Sequence, residues 1–299
     1  MKILICDKTE AEAIERMRAA GLTVDTNFDI TPEQLPAVLP AYDGMVVRSR
    51  TKVRQPLIDV CPNLKIIVRG GVGLDTIDVD YARSKGIKVM NTPKASSASV
   101  AELTIGYMFA LARSLYKASA TMKAEKWEKK SFEGDEIGGK TLGLIGIGNI
   151  GKEVAKRAVG LGMTVLANDP YIKESAEVKL VSLDELLAKA DYISLHLPKT
   201  KESANMLDKA QFEKMKTGVR FINCSRGGIV NEGALYEALT SGKVAGAALD
   251  VYAEEPPTDW KLTKLENVIC SPHIGAQTKE AQGRVAAEVA DILIAFAKK

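Results

Sequence analysis

Residues 140–170 constrain this chain more than any other stretch. Leu142, Leu144 and Ile145 form a short apolar run suited to a strand buried on both faces. Gly146, Gly148 and Gly151 follow in G-x-G-x-x-G spacing, and a helical pattern runs from Lys152 to Leu161. A second apolar run, Thr164 to Ala167, leads to Asp169, 18 residues beyond Gly151. In a unit of this kind the first glycine permits the tight turn, the second lets backbone approach a pyrophosphate, and the third lets helix and strand pack closely. The helix N-terminus then offers N–H groups and a positive dipole end to phosphates. Asp169 stands where a carboxylate accepts from an adenosine ribose hydroxyl. Glycine-rich turns are common on their own, but here strand, glycines, helix, strand and acid occur in order. The stretch therefore reads as a dinucleotide site, and an Asp at its end repels a 2′-phosphate, which favours NAD over NADP.

A chain of 299 residues has room for two domains, and its 46% apolar and 26% charged residues are ordinary for a soluble protein. A net charge of +3 points to neither nucleic acid nor membrane as a partner. The opening Met-Lys-Ile-Leu-Ile-Cys-Asp reads as a strand ending in an acid, not as a signal peptide, and no apolar run reaches membrane-spanning length. Cys6, Cys61, Cys224 and Cys270 are scattered and mostly lie in apolar runs, which suits reduced thiols in the cytoplasm and argues against a metal site.

Strand-like runs at Lys2–Cys6, Met45–Val47, Lys65–Val68 and Lys88–Met90 alternate with helical patterns at Glu10–Ala20, Pro32–Leu39 and Val79–Lys85. That alternation predicts a parallel sheet with right-handed crossovers. Asn91-Thr92-Pro93 breaks the chain as a hinge, and Ser96–Ala118 reads as one long apolar helix, buried between domains or in a subunit contact. After the glycine unit, Tyr192–Leu197, Val219–Asn223, Val244–Val251 and Val268–Cys270 read as strands, and Thr278–Ala297 as a closing amphipathic helix. The dinucleotide unit thus sits inside a smaller α/β domain that the last helix completes.

Only two histidines are available for acid–base work. His196 ends a strand and is followed by Leu197 and Pro198, while His273 follows another strand and precedes Ile274-Gly275-Ala276. Strand C-termini are where open α/β sheets bind ligands, although a lone His there serves equally well as a hydrogen-bonding structural residue. Arg226, just past the run ending at Asn223 and against two glycines, can grip a carboxylate with two parallel bonds or can pair with an acid of the fold. Glu255, fixed by the two prolines that follow, can hold a histidine tautomer or lie in an exposed loop. Arg48, Arg50, Lys52 and Arg54 would share one face of an extended segment, suited to a phosphate or to plain solvation. Arg48 and Arg69 stand out because each ends an apolar run.

Together these pieces resemble the D-2-hydroxyacid dehydrogenase family, its D-3-phosphoglycerate dehydrogenases most of all. The motifs are Val-Val-Arg-Ser-x-Thr-Lys-Val (46–53), Gly-Val-Gly-Leu-Asp (71–75), Val-Met-Asn-Thr-Pro (89–93), the glycine turn, Asn-Cys-Ser-Arg-Gly-Gly-Ile-Val (223–230), Gly-Ala-Ala-Leu-Asp-Val-Tyr-x-x-Glu-Pro-Pro (246–257) and Ser-Pro-His-Ile-Gly-Ala-x-Thr-x-Glu-Ala-Gln (271–282). The resemblance implies an α/β fold of two doubly wound parallel-sheet domains. A Rossmann dinucleotide-binding domain at 95–275 would be inserted in a flavodoxin-like substrate domain made of 1–94 plus 276–299. It implies NAD-dependent oxidation of D-3-phosphoglycerate, with His273 as acid–base group, Glu255 bonded to its imidazole and Arg226 on the substrate carboxylate. NAD would be held by Gly146, Gly148, Asn149, Ile150, Gly151 and Asp169. It would also meet His196, Leu197, Pro198, Cys224, Ser225, Arg226, Asp250, His273, Gly275 and Ala276. The substrate would meet Arg48, Arg69, Gly70, Gly71 and Val72, and the protein would be a homodimer through its cofactor domain.

Two departures from the family pattern stand out. Val72 replaces a Thr that reaches the cofactor in some relatives. The sequence also ends at Lys299, where many such dehydrogenases continue into regulatory domains, so a short form without serine feedback is expected. Glyoxylate and hydroxypyruvate reductases share the catalytic set and are the alternative within the class. A NAD-responsive, corepressor-like binding protein is the alternative outside it.

Overall fold

Short apolar strands alternating with helices build two separate parallel sheets in the computed structural model, which describes residues 1–176 and 178–298. The chain divides into two compact units, one of residues 1–96 with the segment from Ala276 onward, the other of residues 97–275.

The first unit runs β1 (Lys2–Ile5), α1 (Ala11–Ala19), β2 (Thr23–Thr26), α2 (Leu35–Val38), β3 (Gly44–Val47), α3 (Gln55–Asp59), β4 (Ile66–Arg69), α4 (Val79–Ser84) and β5 (Lys88–Asn91). Its strands pair in the order β2-β1-β3-β4-β5, all parallel. This is the doubly wound order of flavodoxin-like sheets, whose switch point lies between β1 and β3. Alternate side chains go to opposite faces. Leu4, Met45, Val47 and Ile67 pack with Leu35, Leu39 and Leu57 on one side. Ile3, Ile5, Val46, Ile66 and Val68 pack on the other with Met17 of α1 and with Val285, Val289 and Leu293 of the C-terminal helix. Each such aliphatic, fully buried, is worth about 1.5–3 kcal/mol in transfer from water.

The second unit runs α5 (Ser97–Ala112), α6 (Leu115–Lys123), β6 (Thr141–Ile145), α7 (Asn149–Gly160), β7 (Thr164–Asn168), β8 (Lys179–Leu180), α8 (Leu183–Lys189), β9 (Tyr192–Leu195), α9 (Lys209–Lys214), β10 (Val219–Asn223), α10 (Glu232–Thr240), β11 (Val244–Leu249) and β12 (Val268–Cys270). The C-terminal helix, α11 (Lys279–Ala297), belongs to the first unit. The second sheet is ordered β12-β11-β10-β9-β6-β7-β8. Counted from β6, that is the dinucleotide-binding order 3-2-1-4-5-6 with one strand added, and its switch point lies between β6 and β9. α5 and α7 cover one face through Ala101, Met108, Leu111, Val154 and Ala158. α8, α9 and α10 cover the other through Leu186, Phe212 and Leu235.

The long helix expected over 96–118 is two helices. α5 stops at Ala112, and Ser114 takes a left-handed φ of 46 before α6 begins. The reason is tertiary. The Ala112 carbonyl, which a continuing helix would give to the N–H four residues on, accepts instead from Asp135 N at 3.0 Å. The surface strands β2 and β8 and helices α3, α8, α9 and α10 were not singled out in the sequence pattern. Among the described residues, no helix is long and apolar enough to cross a membrane.

Candidate functional site

The three glycines after β6 have three different reasons to be glycine. Gly146 has φ 94, and a Cβ there would lie 2.4 Å from His196 O at the end of β9. Gly151 packs so tightly that its Cβ would lie 2.4 Å from Gly146 O. A Cβ on Gly148 would meet nothing within 4 Å. Gly148 is the N-cap of α7, and a glycine there brings no capping side chain of its own. The turn therefore presents a helix start and open space beside Gly148 at the switch point, where a phosphate group fits. Asn149 and Ile150 form the first turn of α7. Asp169, just past β7, is fixed by backbone: its Oδ2 accepts from Ile147 N at 2.9 Å, and its Oδ1 accepts from Tyr171 N at 2.9 Å and Ile172 N at 3.3 Å. These residues fit a dinucleotide with an unphosphorylated ribose.

His196 lies directly behind the turn, buried, with its Nε2 2.9 Å from Ser194 Oγ. Burial pulls its pKa down to about 3, so the ring stays neutral at working pH. Leu197 is half-buried and Pro198 exposed beside it.

His273 and Glu255, 18 residues apart in sequence, meet at 2.8 Å between Nδ1 and Oε2. Glu255 Oε1 also accepts from Tyr252 N at 3.2 Å. Burial alone would raise the Glu255 pKa, but the His273 hydrogen bond and charge, the Tyr252 N–H and the Arg226 charge outweigh it and hold the carboxyl below its ordinary value. Arg226 follows β10 in a turn shaped by Asn223, whose Oδ1 accepts from both N and Oγ of Ser225 and whose Nδ2 donates to Arg226 O. Its Nη1 donates to Ser225 O at 2.7 Å. Gly227 lets this turn lie flat against the segment leading to Glu255, since a Cβ there would overlap Tyr252 O at 1.6 Å. Cys224 and Ser225 are buried in the same turn. A carboxylate-bonded imidazole beside a guanidinium can move a proton and hold an anion.

Asp250 was expected inside a strand; it stands just past β11, fully buried. Its Oδ1 accepts from Ser271 Oγ and from Ile274 N, and its Oδ2 accepts from Gly275 N. Of about four acceptor positions on a carboxylate, three are thus taken. The Asp250 bonds brace the loop in which His273 adopts φ 54, a left-handed conformation that costs a non-glycine residue about 1–3 kcal/mol. Ala276 opens the segment that packs with the first unit.

In the first unit Arg48 follows β3 at the switch point. Its N–H donates to Asp7 Oδ2 at 2.7 Å, and its Nη1 donates to Gln282 of α11, whose own Nε2 donates to Ala276 O. Burial lowers the Arg48 pKa, while Asp7 and Glu10 act to raise it. A small hollow there is lined by Lys8, Thr9, Arg48, Gly70 and Gln282 among others. Gly71 has φ 147, and the Arg69 guanidinium lies over it, 2.3 Å from where a Cβ would stand. Gly71 N donates to Thr92 Oγ1, and Val72 O accepts from Asn91 Nδ2. The remaining basic residues correct the sequence reading. Residues 48–54 do not form an extended basic face: Arg50 turns back to Asp7 and Cys6 O, and Arg54 pairs with Asp78. Asp7 and Gln282 were missed as partners of Arg48; the acid at the end of the first strand was the available signal.

Residues 105–275 match the family D-isomer specific 2-hydroxyacid dehydrogenase, NAD binding domain. The chain belongs to that family. Among its members, the D-3-phosphoglycerate dehydrogenase of Archaeoglobus fulgidus is 49% identical over 303 residues, covering 100% of this chain and 58% of that protein. The chain thus spans little more than half the length of that relative. The hydroxypyruvate reductase of Thermotoga maritima is 47% identical over 294 residues, covering 97% of this chain and 96% of its own. Among solved structures of this 2-hydroxyacid dehydrogenase fold, D-lactate dehydrogenase from Aquifex aeolicus, complexed with NAD and lactic acid, superposes with a TM-score of 0.87. It is 31% identical and covers 100% of this chain and 96% of that one.

Proposed function

We propose that the protein oxidises a D-2-hydroxy acid to the 2-oxo acid with NAD, and that its substrate is D-3-phosphoglycerate, which gives 3-phosphohydroxypyruvate. The observation that carries this reading is the 2.8 Å contact between His273 Nδ1 and Glu255 Oε2 beside Arg226. With Nδ1 engaged by the carboxylate, Nε2 is the nitrogen that takes the hydroxyl proton, and it returns that proton in the reverse direction. Glu255 orients the ring. The Arg226 guanidinium holds the substrate carboxylate and draws electron density from the neighbouring oxygen. Bound NAD supplies the hydride acceptor. Its pyrophosphate is assigned to the glycine turn and the start of α7, and its ribose to Asp169. Arg48 and Arg69 are the groups for the substrate phosphate.

The Thermotoga hydroxypyruvate reductase, matched over 96% of its length, favours an unphosphorylated substrate as a second reading. We assign the protein to the cytoplasm, where its four unpaired thiols would stay reduced. We also propose a homodimer, because α6 buries none of its residues while carrying exposed Leu115 and Met122.

A panel of D-3-phosphoglycerate, D-glycerate, glyoxylate and hydroxypyruvate, assayed with NAD(H) and NADP(H), tests the reading. The expected result is preference for the phosphorylated acid with NAD. Arg48→Ala should lower its kcat/KM roughly 10- to 100-fold, the worth of a hydrogen bond to a charged group. His273→Ala should cut kcat by about 10²–10⁴ and leave NADH affinity nearly unchanged. Preference for glycerate or glyoxylate, indifferent to Arg48→Ala, would select the reductase. Tight NADH binding with no turnover would select a NAD-responsive binding protein.

A further inference from the structure

The loop from Ser271 to Gly275 is held from beneath by hydroxyl groups that the chemistry above does not use. Ser271 Oγ donates to Asp250 Oδ1. A serine hydroxyl has one proton, so the Tyr107 hydroxyl, in contact with the same Oγ, must be the donor of that second bond. Burial raises the Tyr107 pKa and keeps the phenol protonated for this role. The result is an ordered chain from Tyr107 through Ser271 to Asp250. Asp250 then takes the N–H groups of Ile274 and Gly275, both at 2.8 Å, on the far side of His273. Ser99 Oγ donates to Gly275 O at 2.7 Å, and Ser271 N donates to Leu249 O at 3.0 Å. Tyr107 and Ser99 both come from α5, and the apolar packing around the Tyr107 ring would be served equally by phenylalanine.

We propose that Tyr107 and Ser271 are positioning residues for His273: their hydroxyl chain fixes the Asp250 carboxylate, which fixes the peptides after His273 and keeps its imidazole on Glu255. This deepens the dehydrogenase reading and rests on His273 being its acid–base group. A left-handed histidine released from these bonds relaxes toward ordinary backbone angles, and the ring swings away from its partner.

The chain holds only two histidines, so the ring ¹⁵N spectrum of the histidine-labelled chain of 299 residues reads the effect directly. His196, buried at the end of β9, is the internal control. Tyr107→Phe and Ser271→Ala should move the His273 ring signals toward those of Glu255→Ala and leave the His196 signals in place. Both should lower kcat about ten-fold, as a small misplacement of a reacting group does. Ser271→Thr, which keeps the hydroxyl, should restore both readouts. Unchanged His273 signals and kcat in Tyr107→Phe would overturn the proposal, as would joint movement of both histidines. Should Ser271→Ala fail to fold, Tyr107→Phe carries the test alone, since it removes one oxygen and little volume. If the His273 signals move as expected while even the unmodified protein turns over no 2-hydroxy acid, the positioning role stands and the dehydrogenase reading fails.

Discussion

Glu255 is a carboxyl pulled in two directions. Burial resists its charge, but His273, the Tyr252 N–H and Arg226 win, and its pKa falls below the ordinary 4.5. A carboxyl depressed in the fold stabilises that fold above its unfolded pKa, and the contribution drains away as pH falls through the folded value. Glu255→Gln should therefore cost stability near neutral pH, by less than about 1 kcal/mol because the side chain is 38% exposed to screening solvent. In urea unfolding, the gap between the two proteins should close as pH falls below the ordinary carboxylate range; a gap that persists in acid would mean the loss is one of packing. The Glu255–His273 contact is legible in the sequence only through the family resemblance, not through spacing. The prolines after Glu255 and the scarcity of histidine marked both residues, but nothing in an 18-residue separation says that two loops meet. Still less legible was Asp250, whose main duty is to hold backbone N–H groups that no side-chain pattern announces.

Helix α7 carries two glycines with opposite expectations. At Gly151 a Cβ would strike the Gly146 carbonyl at 2.4 Å, so Gly151→Ala must push the helix off the turn. It should cost about 1–3 kcal/mol, the usual range for overpacking, and weaken NADH binding with it. At Gly160, in the last turn, a Cβ meets nothing within 4 Å, and Gly160→Ala should stabilise the protein by about 0.5–1 kcal/mol. Thermal melts of the two variants in the presence and absence of NADH check both signs; a neutral Gly151→Ala would show the turn to be looser than its geometry. The glycine spacing made this element readable because backbone geometry acts locally. The break between α5 and α6 was hidden for the opposite reason. No proline or glycine lies at 113–114, and the carbonyl that ends α5 is captured by Asp135, more than twenty residues downstream.

Across the whole molecule, alternation of apolar strands and helices was enough to specify two parallel sheets, because strands covered on both faces leave a nearly unbroken apolar signature. Surface elements left no such mark: β2 and β8 hold mixed sequences at or near sheet edges. The same logic makes the region around α6 conspicuous. Large side chains usually find cover, yet Leu115 is 52% exposed, Met122 56% and Trp127 79%, close together in sequence. Monomers seldom leave an apolar patch of that kind open to water, and a second copy of the chain, meeting it about a two-fold axis, would cover both patches at once. Light scattering at micromolar concentration should accordingly give twice the chain mass. Leu115→Glu with Met122→Glu should give the monomer, because two carboxylates would have to be buried against each other in the pair. At positions this exposed the substitutions should change the stability of the fold itself by no more than about 0.5 kcal/mol, so dissociation with an unchanged circular dichroism spectrum would locate the interface on this helix. A wild-type protein that scatters as a single chain would instead leave α6 as a surface open to solvent, and the homodimer would have to be abandoned.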